Sequence, residues 1–190
     1  TGGSQYDNYY GCLSPSGGPN PDPVPDIAIG RISANSSDGL AAVVNKTVNY
    51  ESAPTLSPDP DWFTRAWCAA HTNYIPSNPS TKEYTRQIML QHGVATVFWN
   101  TYPGSVSTTD IQNRLSTGIS VFNHRMSWVG ETPFSALDAL PTTAKLPFVM
   151  SITCGTGDFE SGFDISEKWL MPTNQTPSSP KGAIGCVGVA

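Results

Sequence analysis

Charged residues are scarce in this sequence. Asp, Glu, Lys and Arg account for 13% of the 190 residues, about half the usual share, and the net charge is −5. The ten Lys and Arg residues form no cluster, whereas a protein that binds nucleic acid needs a basic patch. The sequence therefore argues against a nucleic-acid partner.

Long apolar runs are also missing. None approaches the roughly 20 residues of a membrane-spanning helix, so we expect no membrane span. Ser, Thr, Asn, Pro and Gly take the place of the charged residues, a composition that is common in secreted proteins. Aromatic residues make up 10% of the chain, which sets it apart from disordered sequences. We expect a folded protein that is secreted or held at the cell surface.

The four cysteines, Cys12, Cys68, Cys154 and Cys186, show no C-x-x-C spacing. A zinc ribbon or a redox dithiol is therefore disfavoured. The even number permits disulfides in an oxidising compartment. Cys68, Cys154 and Cys186 lie in or just after apolar runs typical of buried strands, and for Cys68 and Cys186 we favour a role as small core residues.

Strand-like and helix-like segments alternate along most of the chain. Strands are predicted at 27–32, 65–70, 94–99, 118–123, 147–153 and 183–189. Helices are predicted at 36–50, 80–92 and 107–116, with a helical turn or two at 164–170. This rhythm predicts βαβ units and a mainly parallel sheet covered by helices on both faces.

Polar residues mark the starts of the predicted helices. The expected N-caps lie in the segments Ser36-Ser37-Asp38 and Ser107-Thr108-Thr109-Asp110 and at Ser80, and Gly93 is the expected stop of the second helix. One face of the first helix carries its apolar side chains. These are Leu40, Val43, Val44, Thr47 and Val48.

Two reactive side chains follow buried strands. One apolar run ends at His124 and another ends at Cys154. Chemistry in parallel sheets collects at the carboxyl ends of the strands, so neighbouring strand ends would bring these two side chains close together. An imidazole near a thiol favours the thiolate and later protonates a leaving amine. His71, which follows the strand of Cys68, is a weaker alternative base.

The residues around this pair leave a structural interpretation open. A cysteine at the end of a buried strand is often structural, and a single histidine often belongs to the core or the surface. After Cys154 comes Gly155-Thr156-Gly157-Asp158, a loop whose backbone amides are able to approach a developing oxyanion. From the residues alone, catalysis and a structural role are about equally favoured.

Four segments resemble a known family. They are PDIAIGRIS at 25–33, WCAA at 67–70, GISVFNH at 118–124 and LPFVMSITCGTGDF at 146–159. Their order and separations resemble the gingipain-type cysteine peptidases, which belong to the caspase-like clan. The block around Cys154 with its Gly-Asp-Phe tail is the most specific of the four.

The resemblance implies a caspase-like three-layer α/β/α sandwich with a mainly parallel sheet, present here as an incomplete fragment. Residues 1–62 would be the end of an N-terminal subdomain with Pro-rich loops, and residues 63–190 a catalytic subdomain truncated at its C-terminal side. The implied activity is peptide-bond hydrolysis through a thioester at Cys154, with His124 as general acid and base. The implied oxyanion donors are the backbone N–H groups of Cys154 and Arg125.

The sequence departs from the family pattern at two places. Arg125 follows the histidine where the family usually has glycine, so a side chain projects where none is usual. Arginine-specific members carry acidic residues after the strand that corresponds to 65–70, whereas residues 69–109 contain a single acid, Glu83. A preference for a basic substrate residue is therefore not supported.

The remaining expectations concern metals and alternative functions. No cofactor is required for the chemistry, but calcium often accompanies the family. Asp22, Asp26, Asp59 and Asp61 are candidate oxygen ligands, although solvated loop acids are the simpler explanation. The rival function is a catalytically inactive module that binds or builds an extracellular assembly. A nucleotide-binding domain is disfavoured because no strand is followed by a Gly-rich phosphate loop.

Overall fold

The structure, a computed structural model, describes residues 8–13, 26–53, 59–73, 76–102, 106–125, 137, 140–158 and 165–189. The chain divides into two compact units, residues 1–33 and residues 34–190. The sequence-based boundary between residues 62 and 63 is not tested by this division and stays a prediction. Of the helices in the described ranges, none combines the length and the apolar character that a membrane crossing requires.

Among its described residues, the first unit has one short helix, α1 (Asn8–Gly11). The backbone N–H groups of Asp26 and Ile27 both donate to the Gly11 carbonyl, at 2.8 and 3.2 Å. The strand predicted at 27–32 is wrong, because this segment has neither strand nor helix conformation. A strand needs a hydrogen-bonded neighbour, and no described segment pairs with this one.

The second unit is built on a parallel sheet of five strands in the order β2-β1-β3-β4-β5. The strands are β1 (Arg65–His71), β2 (Thr96–Tyr102), β3 (Val121–Arg125), β4 (Phe148–Ser151) and β5 (Gly185–Gly188). The helices are α2 (Ser37–Ser52), α3 (Ser77–Gln91), α4 (Thr108–Thr117) and α5 (Ile165–Leu170). All five strands predicted in this unit are confirmed, with ends that shift by a few residues.

The two faces of the sheet carry separate cores, because successive side chains of a strand point to opposite sides. On one face, Trp67 stacks on Phe122 with ring centroids 4.4 Å apart, and α4 and α5 add Leu115 and Trp169 to the same cluster. On the other face, Cys68 belongs to a smaller cluster beside α3. Helices therefore cover both faces, as the predicted three-layer arrangement requires.

The caps of two helices agree with the sequence, and that of a third does not. The Ser36 hydroxyl accepts a hydrogen bond from Gly39 N–H at the start of α2, and Ser107 forms a capping box with Asp110 at the start of α4. The cap predicted at Ser80 is wrong, because α3 begins one turn earlier, at Ser77 directly after Pro76. Proline fits this position because it needs no hydrogen-bond partner for its nitrogen.

The buried face of α2 also differs from the expectation. Val43 is buried as predicted, but Leu40, Val44 and Val48 are exposed, and Lys46 is 3% exposed. The Lys46 ammonium donates to the carbonyl oxygens of Leu170 and Lys181, the second at 3.1 Å. These bonds satisfy carbonyl groups at and beyond the C-terminus of α5, where a cation is favoured.

Burial lowers the pKa of Lys46 from 10.5 to about 7. The unfolded chain keeps this amine protonated up to about pH 10.5, whereas the folded chain releases the proton near pH 7. The unfolded state therefore binds more protons between these two values, and the free energy of unfolding rises with pH there.

We predict that Lys46→Met removes this rise. Between pH 7 and pH 9 the free energy of unfolding of the wild type should increase by about 2 kcal/mol more than that of Lys46→Met. Urea unfolding followed by tryptophan fluorescence at pH 7, 8 and 9 measures the difference. Lys168→Met, which removes a lysine outside this cluster, is the control and should keep the wild-type slope. Equal slopes for the wild type and Lys46→Met would contradict the prediction.

Candidate active site

The carboxyl ends of β3 and β4 lie side by side. His124 is the next-to-last residue of β3 and pairs in register with Ser151, the last residue of β4. Just beyond the strand, the Ile152 N–H donates to the His124 carbonyl at 3.0 Å, and Cys154 follows Ile152 by two residues. His124 and Cys154 therefore stand at the same edge of the sheet, on neighbouring strands.

Cys154 lies in the turn that follows β4. It is exposed and forms no disulfide, and it is followed by Gly155, whose φ of 76° a glycine adopts without strain. Cys68 and Cys186 are inside strands, where burial raises their pKa to about 11 and about 12. These two thiols stay protonated at neutral pH, as expected for the small core residues that the sequence suggested.

His124 faces the larger core. Its side chain is fully buried, and its ring packs on Phe122 with centroids 4.7 Å apart. Burial, and to a lesser extent the positive charge of Lys82, lower the pKa of His124 from 6.5 to about 3. The imidazole is therefore neutral at physiological pH in this structure.

Lys82 is a buried residue near the site that the sequence did not reveal. It lies on α3, is 3% exposed, and its ammonium donates to the Asn123 side-chain oxygen. Burial lowers its pKa to about 8, the Cys68 thiol raises it and Arg125 lowers it further. Because Asn78 is also buried on this helix, its inner face is partly polar, and an apolar pattern gives no signal for it.

Arg125 projects from β3 on the side opposite to His124, since side chains alternate along a strand. It is half-buried at the last position of the strand and pairs in register with Ala70 of β1. Its backbone lies at the edge where the Cys154 turn begins. The structure does not test the predicted oxyanion role of the Arg125 and Cys154 N–H groups, so this role stays a prediction.

Two further polar atoms are buried on the face of the sheet that carries the His124 side chain. The Ser151 hydroxyl and the Trp169 indole N–H have no hydrogen-bond partner within the residues that the structure describes. Ser151 is the register partner of His124, so its side chain stands next to the imidazole on the same face. The sequence did not indicate Ser151 as a site residue, because a single polar residue within an apolar strand carries no functional signal.

His71, the alternative base, is further from the thiol. It ends β1, is almost fully buried, and its Nδ1 accepts a hydrogen bond from the Asn73 N–H at 2.8 Å. Since β3 lies between β1 and β4, the strand of His71 is two strand spacings from that of Cys154, about 10 Å. The strand order therefore favours His124 as the base.

The acids proposed as calcium ligands do not form a ligand set among the described residues. Asp59 accepts two hydrogen bonds from Arg65 at 2.8 and 3.0 Å and one from Lys145 at 3.3 Å, and these contacts lower its pKa. One carboxyl oxygen of Asp26 accepts from the Leu13 N–H, and Asp22 lies outside the described residues. No group of three or more potential ligand side chains is found in the described ranges, so calcium stays an untested prediction.

Comparison with known proteins agrees with this architecture. The chain is 23% identical over 98% of its length to gingipain R2 and to gingipain R1, both from Porphyromonas gingivalis. It is similar to the crystal structure of the Arg-specific cysteine proteinase gingipain R, with a TM-score of 0.77, 21% identity and 96% of the chain covered. The fold is therefore the caspase-like sandwich of that protein. The chain spans 26% of gingipain R2, 19% of gingipain R1 and 43% of the solved chain.

The model of peptidase family C25 matches residues 3–190, which is nearly the whole chain. This match spans both strands of the candidate site and the turn that carries the exposed thiol. The chain belongs to peptidase family C25, a family of cysteine peptidases.

Proposed function

We propose that this chain carries the core of a cysteine endopeptidase in which Cys154 is the nucleophile and His124 the general acid and base. The observation that carries the proposal is the pairing of β3 with β4. This pairing sets an exposed, unbonded thiol and a histidine at the same sheet edge on adjacent strands. Thiol chemistry needs an imidazole in this kind of position.

In the proposed reaction the Cys154 sulfur attacks the carbonyl carbon of a peptide bond, and the thiol proton passes to His124. The tetrahedral oxyanion is held by the N–H groups of Cys154 and Arg125. The imidazolium then gives its proton to the departing amine, which leaves a thioester on Cys154. A water molecule, deprotonated by His124, hydrolyses the thioester and restores the thiol and the neutral imidazole.

The electrostatics of His124 set a condition on this mechanism. Burial and the Lys82 charge both disfavour the imidazolium, so the His124 imidazole is neutral before the reaction begins. The neutral ring is able to accept a proton, but the imidazolium that results needs the thiolate or water beside it. We therefore propose that the substrate binds to a form in which His124 is more hydrated than in this structure.

The second candidate function is a catalytically inactive module that binds a partner or helps to build an extracellular assembly. The full burial of His124 favours it, as does Arg125, whose side chain stands where the family usually has none. In this case the sheet would be retained as a scaffold. Thiol reactivity and hydrolysis distinguish the two functions.

The substrate would be a protein or a peptide, and a preference for a basic residue at the cleaved bond is not supported. The solved relative is described as Arg-specific. Glu83 is the one acid between residues 69 and 109, and its carboxylate accepts hydrogen bonds from Arg86 and Gln87, which lower its pKa to about 2. An acid that is already paired with an arginine is a poor partner for a substrate arginine. We place the protein outside the cell or at its surface, where other segments of the same precursor or an assembly are its partners.

Cys154→Ala should abolish peptide hydrolysis, because burial keeps the thiols of Cys68 and Cys186 protonated. We expect a loss on the order of 10³-fold or more in kcat/KM on a casein or peptide-library substrate. Cys12→Ala, which removes a cysteine of the first unit, is the matched control and should keep wild-type activity. If Cys154 also resists iodoacetamide at neutral pH and its alanine variant cleaves as well as the parent, the peptidase proposal fails.

Arg125→Ala should leave kcat within about threefold of the wild type, since the proposed donor is the backbone N–H, which alanine retains. Steady-state kinetics on a cleaved peptide measure this. A fall of more than tenfold would show that the guanidinium itself contacts the substrate. A rise of that size would show that the side chain obstructs the site.

The His124 ring should not titrate between pH 7.5 and pH 5. Its pKa of about 3 keeps it neutral over this range, while an unperturbed histidine changes charge near 6.5. In proton NMR spectra the Cε1–H resonance of His124 is identified by its loss in His124→Gln. Its chemical shift should stay constant between pH 7.5 and pH 5. The same protein in urea is the control, and there the His124 resonance should titrate near 6.5. A folded-state midpoint near 6.5 would contradict the burial of this ring.

A further inference from the structure

The turn that carries Cys154 is tied down by a single buried residue, Thr156. Its side-chain oxygen lies 2.6 Å from the Thr153 carbonyl and 3.0 Å from the Ser151 carbonyl. The same oxygen accepts a hydrogen bond from the Val189 N–H at 3.1 Å. One hydroxyl therefore joins the end of β4, the cysteine turn and the residue that follows β5.

The backbone of this turn adds three more bonds. The Thr156 N–H donates to the Thr153 carbonyl at 3.3 Å, which closes the turn around Cys154. The Ser166 N–H of α5 donates to the Thr156 carbonyl, and the Gly157 N–H donates to the Val189 carbonyl, both at 3.0 Å. Thr156 is fully buried, whereas Cys154, two residues before it, is exposed.

Close backbone contact at the same place requires two glycines. A Cβ on Gly188 would lie 2.5 Å from the Thr156 carbonyl oxygen, and one on Gly157 would lie 2.8 Å from the Gly188 carbonyl carbon. Distances this short do not occur between real Cβ atoms and backbone atoms, so both positions exclude a side chain unless the backbone moves. The turn and the end of β5 thus touch with no side chain between them.

We propose that Thr156 is the positioning residue for Cys154, because its hydroxyl and its backbone anchor the cysteine turn to β5 and α5. The effect of Thr156 on catalysis rests on the peptidase function proposed above. The anchoring of the turn does not, because it can be measured without catalysis. Because the Cys154 side chain is exposed, packing against neighbouring residues does not fix its position. Its position must therefore come from the bonds of the residues beside it.

The hydroxyl is the part of this anchor that a substitution removes with little change of shape. Thr156→Val keeps the branched side chain but leaves the Val189 N–H without its acceptor. It also removes the hydroxyl bond to the Thr153 carbonyl, which keeps the longer bond from the Thr156 N–H. Thr156→Ser keeps the hydroxyl. A backbone group that loses its hydrogen-bond partner destabilises the segment that holds it, so the turn should open more often in the valine variant and not in the serine variant.

The experiment compares the wild type, Thr156→Val and Thr156→Ser. The control is Thr47→Val, which removes a hydroxyl bonded at 3.0 Å to the Val43 carbonyl on α2, remote from the site. Hydrogen–deuterium exchange reports the amides of Thr156, Gly157 and Val189, and steady-state kinetics report kcat and KM on a cleaved peptide. We expect exchange at these amides to be at least tenfold faster in Thr156→Val. We also expect kcat to fall at least tenfold with KM within about twofold, while the other two variants match the wild type.

Each outcome has one interpretation. Equal exchange in Thr156→Val and the wild type overturns the anchor, whatever the activity. Faster exchange with unchanged kcat in an active enzyme overturns the positioning role. If the wild type cleaves no peptide, the peptidase proposal fails by itself, and exchange alone then decides the anchor.

A second variant tests the anchor from the side of β5 and leaves Thr156 intact. Gly188→Ala should raise the same exchange rates, because its methyl group would push against the Thr156 carbonyl. Gly30→Ala, at a position with no atom within 4 Å of the added carbon, is its control. If Gly188→Ala leaves exchange at Thr156 and Gly157 unchanged, the contact between the turn and β5 does not hold the turn, and the anchor is overturned.

Discussion

The pairing of β3 with β4 is the interaction on which the candidate site depends. It places Val121 opposite Phe148 and His124 opposite Ser151, and the Ile152 N–H extends the pairing one step past the end of β4. Because the strands are parallel, both end at the same edge of the sheet. A slip of one residue would turn the His124 side chain to the face of α3 and separate it from the aromatic core.

The same pairing explains why the two reactive residues differ so much in environment. The histidine is still inside its strand and takes part in the core of Phe122 and Trp169, whereas the cysteine lies beyond its strand and is exposed. Burial keeps the imidazole neutral, and the ammonium of Lys82 adds to this effect. The structure therefore combines an accessible nucleophile with a base whose charged form is disfavoured.

Two of the lysines that the structure describes in this unit are buried. Lys46 and Lys82 each lie on the inner side of a helix and donate to neutral oxygens, and burial lowers the pKa of both. Each uses its long side chain to donate hydrogen bonds to polar groups of the interior. The chain has few charged residues, and two of its ten Lys and Arg residues are buried and donate hydrogen bonds in the interior.

Local patterns in the sequence determined the strands of the second unit and the helices between them. They also determined the capping segments at 36–38 and 107–110, and the placement of a histidine and a cysteine at strand ends. These features depend on neighbours within a few residues, so short-range rules are enough to find them. The segment 27–32 shows the limit of such rules, because strand propensity has no effect without a partner strand.

Tertiary structure alone decided the rest. The order of the strands set β3 beside β4 and moved His71 two strands away from the cysteine. Packing of α2 and α3 against the second unit buried Lys46 and Lys82 where an apolar pattern would have placed other residues. Thr156 joins β4, β5 and α5 through bonds to residues up to 33 positions away. No local pattern specifies such contacts, because they exist only once the distant segments have come together.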